Sequence, residues 1–487
     1  MNTTFVKCVD FTFDGQGLAK TNSNRVVFVP SLLIGEEAEV EILYRKKDFD
    51  VGKIVKLIKK SPYRINPVCK CATSCGGCCF QNLDYKKQLE YKKNVAQQTI
   101  KTIGKIPTEI SNIYGMEDPY FYRNKIQVPF GYDKQHRLVY GFYKFKSHDI
   151  IYNTECVIED QIHVSILKNI KVLLEKFDIK PYDEDKRKGI LRHVLIRVGK
   201  VTREVMVVLI VNEKSFKNKS QFVKELVKLN PEITTVVLNE NSRKTNVILG
   251  EREETLYGPG FIYDILCGLK FKISSKSFYQ TNPTQTEVLY NLAISKAELK
   301  ETDVVLDAYC GIGTIGLIVA KHVKEVVGVE IVKEAIIDAK NNAKLNNITN
   351  STHICADCSD YMIEKKFDVV FVDPPRKGLD TKFINALLKS KPKKIVYVSC
   401  DVGTLARDLN ILSSKYHIRS IDLVDMFPHT RHAEAVVFCE AKAQIQENQK
   451  LLMDQIIQCL KKKIGVQEPH EIYVIYIGMA PKRRFFH

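Results

Sequence analysis

The chain has 487 residues, 74 Lys+Arg against 57 Asp+Glu, a formal net charge of +17, 14 cysteines and no tryptophan. That length spans several compact domains, and 45% hydrophobic with 27% charged residues excludes wholesale disorder. No run reaches the ~18–20 apolar residues of a membrane span, and Met1–Val9 has no apolar signal core, so a cytoplasmic protein is expected.

Cytoplasmic thiols stay reduced, so the cysteines are open to metal binding or chemistry rather than disulfides. The positive charge suits a polyanionic partner such as RNA, DNA or an anionic membrane, and equally a solvated basic surface.

In chain order, residues 1–60 read as all-β. Apolar-rich runs at Arg25–Val29, Ala38–Tyr44 and Val51–Leu57 are separated by Gly, Asn and Asp breaks, which predicts a small barrel of the oligonucleotide-binding type. Ser61–Pro67 links it to a cysteine group at 69–79. Residues 83–103 predict an amphipathic helix, with Leu89, Ala96, Ile100 and Ile103 inward and Lys86, Lys87, Lys92 and Lys93 outward. Residues 111–272 predict a mixed, mostly antiparallel sheet, so 61–275 forms a central β-rich region.

From about Ser277 strands and helices alternate. Strands are predicted at Val304–Tyr309, Glu325–Glu330, Thr352–Cys355, Phe367–Asp373, Lys394–Ser399, Arg419–Met426 and Glu434–Glu440. That pattern predicts an α/β doubly wound sheet over 276–440. The extension 441–487 holds a polar helix, a strand-like Glu471–Ile477 and a basic Lys482–Arg484.

Gly311, Gly313 and Gly316 spell G-x-G-x-x-G between a strand and a helix, with Glu330 ending the next strand. Such a turn lets backbone approach a nucleotide-like ligand, and the acid can bind ribose hydroxyls. A nicotinamide dinucleotide and S-adenosylmethionine both suit it. Asp307 tilts the choice, since a carboxylate there would repel pyrophosphate and suit a sulfonium. Asp373-Pro374-Pro375 is similar to the loop that grips the target nitrogen in amino-methyltransferases, but Arg376 replaces the aromatic.

Asp373 and Cys400 end successive strands, and an antiparallel last strand would start Glu434 at the same rim. A thiol and a separate base together suit carbon-5 methylation of uracil. Thiolate addition to carbon 6 activates carbon 5, and a base then removes its proton. The base must leave its stack. Neither amino-methylation nor plain hydride transfer needs the thiol.

Together, Ser277-Phe278-Tyr279-Gln280-Thr281-Asn282, the Asp307–Gly316 turn, Asp373-Pro374-Pro375-Arg376-Lys377-Gly378, Ser399-Cys400 with Leu405-Ala406-Arg407-Asp408, and Asp425-Met426-Phe427-Pro428-His429-Thr430 with His432 and Glu434 resemble the RNA 5-methyluridine methyltransferases. The match is especially to the iron–sulfur members acting on 23S ribosomal RNA, and it covers roughly residues 1–440. The resemblance implies a seven-stranded Rossmann-like methyltransferase domain, an N-terminal TRAM barrel, and packing of helix 83–103 on the catalytic domain. It implies Cys400 as nucleophile and Glu434 as proton acceptor. Gln280, Tyr309, Glu330 and Asp373 would line the cofactor and base site, with Thr314 and Asp357 beside them. It names Cys69, Cys75, Cys78 and Cys156 as ligands of a [4Fe-4S] cluster. Spacing alone leaves zinc open, and Cys71 and Cys79 could substitute as ligands.

A monomer acting on 23S ribosomal RNA, or on transfer RNA, is expected. Tyr120–Lys125 and Tyr140–Lys146 interleave aromatics and cations in the manner of RNA-binding surfaces, or of strands with a polar outer face. An amino-methyltransferase, a non-catalytic RNA-binding module and a dehydrogenase are the rival readings.

Overall fold

A computed structural model describes residues 3–12, 14–144, 147–244 and 247–464. The segments Glu471–Ile477 and Lys482–Arg484, and Phe145 and Lys146, lie outside the described residues. No described helix is long and apolar enough to cross a membrane.

The first five strands, Thr3–Phe11, Gly17–Thr21, Val26–Val29, Glu37–Arg45 and Asp50–Lys59, close into a barrel. Alternation sends Val6, Cys8, Ala19, Val27, Val29, Ala38 and Val40 into a core of their own. Glu36 is fully buried at its base. Arg64 Nε and Nη2 donate to it at 2.6 Å each, and the amides of Leu33 and Ser61 donate at 2.9 and 3.1 Å. A buried carboxylate needs such a set of donors, and here they pin the linker to the barrel.

The central sheet has seven strands, from the edge strand Arg252–Tyr257 to Ile150–Tyr152. Every residue of Leu191–Val198 and Val205–Val211 is buried, so both faces are covered. One face, with Val205, Val207 and Leu209, packs on the helices Gln161–Lys176 and Lys219–Leu229. The other, with Met206, Val208 and Ile210, joins Leu289, Val305, Ile315, Val326 and Val369 of the next sheet in one continuous core.

That next sheet has eight strands in the order Ser351–Cys355, Glu325–Glu330, Val304–Ala308, Val369–Val372, Lys394–Ser399, Glu434–Ala441, Tyr416–Val424, Ile110–Tyr114. The first five are mutually parallel, and Glu434–Ala441 runs antiparallel to both its neighbours. Ile110–Tyr114 adds an eighth strand to the seven expected from sequence. It pairs parallel with Tyr416–Val424 and covers what would be an open edge. The helix Lys442–Ile464 follows the last strand.

The helix Tyr85–Thr102 lies against Val402–Leu412, with Ala96 and Ile100 in the core beside Leu405, Ala406 and Leu409. Its buried stripe differs from the expected one. Gln88 and Lys92 are buried, and Ile103 is 53% exposed. The reason is a buried partner. Lys92 Nζ meets Asp425 Oδ1 at 2.6 Å and the carbonyl of Phe427 at 3.2 Å, while Tyr85 donates its hydroxyl to Asp425 Oδ2 at 2.9 Å. Both charged side chains are at most 1% exposed.

Removing one partner of such a pair leaves an uncompensated buried charge. Lys92→Met should therefore lower unfolding free energy in urea by about 3–5 kcal/mol. Lys70→Met, which breaks the exposed pair with Glu155, should shift it by less than about 0.5 kcal/mol. Similar losses in the two variants would contradict the junction's role.

Candidate active site

The strand order reverses between Val304–Ala308 and Val369–Val372. The carboxyl ends of parallel strands at such a point form the usual ligand crevice. The chain leaves Val304–Ala308 through a tight turn. Tyr309 sits in the left-handed region at φ +62°, and Gly311 and Gly313 follow at +53° and +83°. A Cβ on Gly311 would touch nothing within 4 Å, so this side of the turn is open to a ligand. Gly316 is tight instead, since a Cβ there would meet Asp307 Oδ2 at 2.7 Å.

Asp307 is 2% exposed and accepts the Gly316 amide at 2.8 Å. Its carboxylate holds the turn. Burial, only partly offset by that amide, pushes its carboxyl up to about 7.

Glu330 ends the neighbouring strand and accepts the amides of Gly311 at 3.3 Å and Val332 at 2.9 Å. Asp357 starts the next helix, accepting the Ser359 amide at 2.7 Å. That bond, with help from Lys382, holds its carboxyl below the ordinary range. Thr314 opens the helix after the turn, with its hydroxyl 3.3 Å from that of Tyr290. The Tyr290 hydroxyl is also flanked by Gln280 and lies in the field of Asp373. Gln280 itself is 8% exposed and accepts from Asn124 Nδ2 through its carbonyl at 3.2 Å. Six predicted residues, Gln280, Tyr309, Thr314, Glu330, Asp357 and Asp373, thus border the mouths of four adjacent strands.

Cys400 follows Lys394–Ser399 at a strand-to-helix corner. Asp401 closes the corner by accepting the Thr404 amide at 2.9 Å. The antiparallel partner pairs Ala435 with Ser399. One step further, Glu434 therefore comes beside Cys400. Asp373 enters from the parallel side, where Val372 pairs with Tyr397. The loop after Asp373 is strapped to the helix after Cys400. Thr404 donates to the Arg376 carbonyl at 3.1 Å, Arg407 to the Lys377 carbonyl at 3.0 Å, and Asp408 accepts the Leu379 amide at 2.8 Å.

The electrostatics show the convergence. Burial pushes the Cys400 thiol up to about 11, with Glu434 and Asp373 adding and Arg376 opposing. Burial pushes Glu434 up to about 8, again with Asp373 adding and Arg376 opposing, and it pushes Asp373 up to about 7. One thiol, two carboxyls that stay protonated to near neutrality and one guanidinium share the crevice. The set can support nucleophilic addition and proton transfer.

The loop 427–432 borders this crevice. Its anchor was not legible in the sequence. Gln88, on the early helix, accepts the His429 amide at 3.0 Å and donates to the carbonyls of Phe80 and Leu83. The amides of Cys79 and Phe80 both donate to the His429 carbonyl at 3.0 Å. The His429 ring stacks on Tyr120 at 4.8 Å. Burial pulls His429 and His432 down to about 4, so both are neutral. Tyr122 is buried, donating to the Pro428 carbonyl at 3.1 Å, and Tyr140 is buried too. These two aromatics are packing residues rather than RNA-facing ones.

Cys69, Cys78 and Cys156 pack in one small cluster with Tyr122, Val157 and Ile158. Cys75 lies within electrostatic reach of Cys69 and Cys78. No group of three or more His, Cys, Asp or Glu among the described residues is drawn in to metal-binding geometry. Cys71 turns toward the Tyr152 carbonyl at 3.8 Å. Cys79 packs against the barrel, where a Cβ on Gly15 would meet its sulfur at 2.6 Å.

Residues 84–442 match the family model for tRNA (uracil-5-)-methyltransferase, and residues 6–55 match that for the TRAM domain. An uncharacterized RNA methyltransferase of Bacillus cereus is 43% identical over 88% of this chain and 94% of its own length. One from Staphylococcus aureus is 41% identical over 89% of this chain and 97% of its own. Among solved structures, the Pyrococcus abyssi tRNA (uracil-54, C5)-methyltransferase in complex with S-adenosyl-L-homocysteine superposes with a TM-score of 0.73. It is 29% identical, with 89% of this chain and all of that one covered.

Glu434 supplies a pH test. It ionises at its ordinary value in the unfolded chain, but only near pH 8 when folded. Between those values the unfolded state holds fewer protons, so stability falls as pH rises through that window and levels off above it. Glu434→Gln lacks this loss. Its stability relative to wild type should rise by on the order of a few kcal/mol between about pH 5 and about pH 8.5 in urea unfolding. A difference that does not change with pH would refute the raised carboxyl.

Proposed function

The chain belongs to the tRNA (uracil-5-)-methyltransferase family, and we propose that it methylates carbon 5 of a uridine in 23S ribosomal RNA, with Cys400 as nucleophile and Glu434 as proton acceptor. It is an RNA methyltransferase with an N-terminal TRAM domain, and its methyl donor is S-adenosylmethionine. The observation that carries the finer reading is the meeting of Cys400, Glu434 and Asp373 at one rim.

When bound, S-adenosylmethionine supplies an electrophilic methyl group. The chain fits it: the open Gly311 turn offers a cradle, and Glu330 ends the second strand as a ribose acceptor would. Gln280, Tyr309, Thr314, Asp357 and Asp373 would complete the pocket. Cys400 acts on the uracil. Its thiolate, favoured by Arg376, adds to carbon 6, and the electron pair of the C5–C6 double bond moves toward carbon 5 and the O4 carbonyl. Carbon 5 then takes the methyl. Glu434, in its ionised form, removes the carbon-5 proton, the double bond re-forms and the thiolate leaves. The base gains a methyl and loses one proton. Every residue in this scheme comes from one chain, so a monomer suffices.

The same reading gives Cys69, Cys75, Cys78 and Cys156 a [4Fe-4S] cluster. The donors fit in chemistry, since four thiols share one neighbourhood. The cluster would stiffen the loop whose Cys79 and Phe80 amides hold His429. This cysteine set supports ribosomal RNA, because it resembles that of the iron–sulfur members. Transfer RNA is the second reading, favoured by the Pyrococcus abyssi structure. Mapping 5-methyluridine in 23S and transfer RNA, from cells with and without the gene, separates the two.

Cys400→Ala should abolish turnover and form no covalent RNA adduct. Glu434→Gln should slow turnover by about 10²–10⁴-fold and accumulate the adduct as a retarded band on a denaturing gel. Methylation by Cys400→Ala would sink the mechanism and revive amino-methylation. Purified protein should carry iron and sulfide with broad visible absorbance, and Cys156→Ser should lower the iron content. A colourless, zinc-loaded protein grown with ample iron would overturn the cluster.

A further inference from the structure

A cavity of about 270 Å³ opens beside the catalytic crevice. Four parts of the molecule build it. The barrel gives Asp14, the cysteine loop Gly76 and Gly77, the segment leading into the central sheet Arg123, and the catalytic loops Arg376 and Arg431. Gly76 and Gly77 bring no side chains, so this wall is backbone. Phe427 and His432 also line it, their rings meeting edge to face at 6.3 Å.

Its charge is unbalanced. Asp14 lies in the field of Arg431, which leaves Arg123 and Arg376 as surplus cations. No hydrogen bond or ion pair engages either guanidinium among the described residues. Arg123 reaches Glu159 only through space. A guanidinium presents a planar fork of donors that matches phosphate oxygens two at a time. Two such forks at one small cavity, with one carboxylate already opposed, fit a single anionic group.

Arg376 also fixes where that anion stands relative to the chemistry. It acts electrostatically on both Cys400 and Glu434, so the cavity adjoins the place of the reacting base. A uridine turned out of its stack bends the backbone on either side of itself, and that bend needs holding. We propose that this cavity seats a phosphodiester of the RNA directly beside the target uridine, gripped by Arg123 and Arg376. The barrel loop at Asp14 and the cysteine loop at Gly76 form its roof. The neighbouring base meets Phe427 and His432, because stacking on such rings is tolerant of sequence. The substrate strand is therefore unpaired over at least the uridine and one neighbour.

The proposal rests on the RNA-methylating reading above. The probe is a single-stranded fragment around the uridine mapped as methylated, with one linkage at a time replaced by a neutral methylphosphonate. Full-length wild type and Arg123→Gln are compared by fluorescence anisotropy at several salt concentrations. In wild type, one linkage next to the uridine should cost about tenfold in affinity. Arg123→Gln should bind the unmodified RNA more weakly and lose little more at that linkage, as coupled partners do. Its salt slope should fall by about 0.7, one single-strand phosphate's worth. Thermal unfolding checks that the variant folds, and Arg376→Gln serves as the second probe of the same pair. A flat scan in wild type, or an equal loss in wild type and variants, overturns the site. Absence of 5-methyluridine in every RNA overturns the reading beneath it, whereas methylation with a flat scan overturns only the phosphate seat.

Discussion

The antiparallel register between Lys394–Ser399 and Glu434–Ala441 is the constraint on which the crevice depends. Ser399 opposite Ala435 brings Cys400 beside Glu434. A slip of one residue would turn every side chain of the strand to the other face. Both faces are occupied, so the slip is forbidden by packing: Val436 and Phe438 belong to the core shared with the central sheet, Ala435, Val437 and Cys439 to the opposite one. The placement of a thiol and a carboxyl is thus a by-product of two hydrophobic cores that accept only one register.

The second element of design is a crevice that is electrically quiet at rest. Glu434, Asp373 and Asp307 are all raised toward or past neutrality by burial. Ionising several of them together in so small a volume would be costly. Among the described residues, Arg376 is the cation that opposes the negative charge around both Cys400 and Glu434. It stands at the position where amino-methyltransferase-like loops carry an aromatic. In place of a side chain that would grip a planar nitrogen stands one that opposes the carboxyls beside it and lines the neighbouring cavity.

Much of the α/β sheet was legible because its strands are buried on both sides and read as unbroken apolar runs, such as Val369–Val372 and Ile395–Val398. The glycine turn was legible for a different reason, since left-handed backbone at Gly311 and Gly313 selects glycine. Ile110–Tyr114 escaped notice because only Ile110 is buried, and its partner lies some three hundred positions away. Gln88 and Lys92 escaped for a related reason. Polar side chains on an amphipathic helix read as solvent-facing, and nothing local reveals that Asp425 and the His429 backbone await them. In the crevice, residue types were readable from motifs. The strapping of the Arg376 loop by Thr404 and Arg407 was not, because it runs through backbone carbonyls that any sequence would supply.

The distribution of cores has a consequence for how such a protein can change over generations. The barrel keeps a private core and is latched through Glu36 and Arg64. The central and catalytic sheets have no such boundary, because Met206, Val208 and Ile210 are packed among the same side chains as Val305 and Val326. Recombination between relatives can therefore trade the barrel more readily than either sheet, refitting the Glu36–Arg64 latch and the small seam where Phe11 and Leu33 meet Phe80, Leu83 and Tyr91. A crossover between the two sheets would mismatch two halves of a single interior. The piece that greets the RNA is free to diversify, while the piece that performs the chemistry is inherited together with its scaffold.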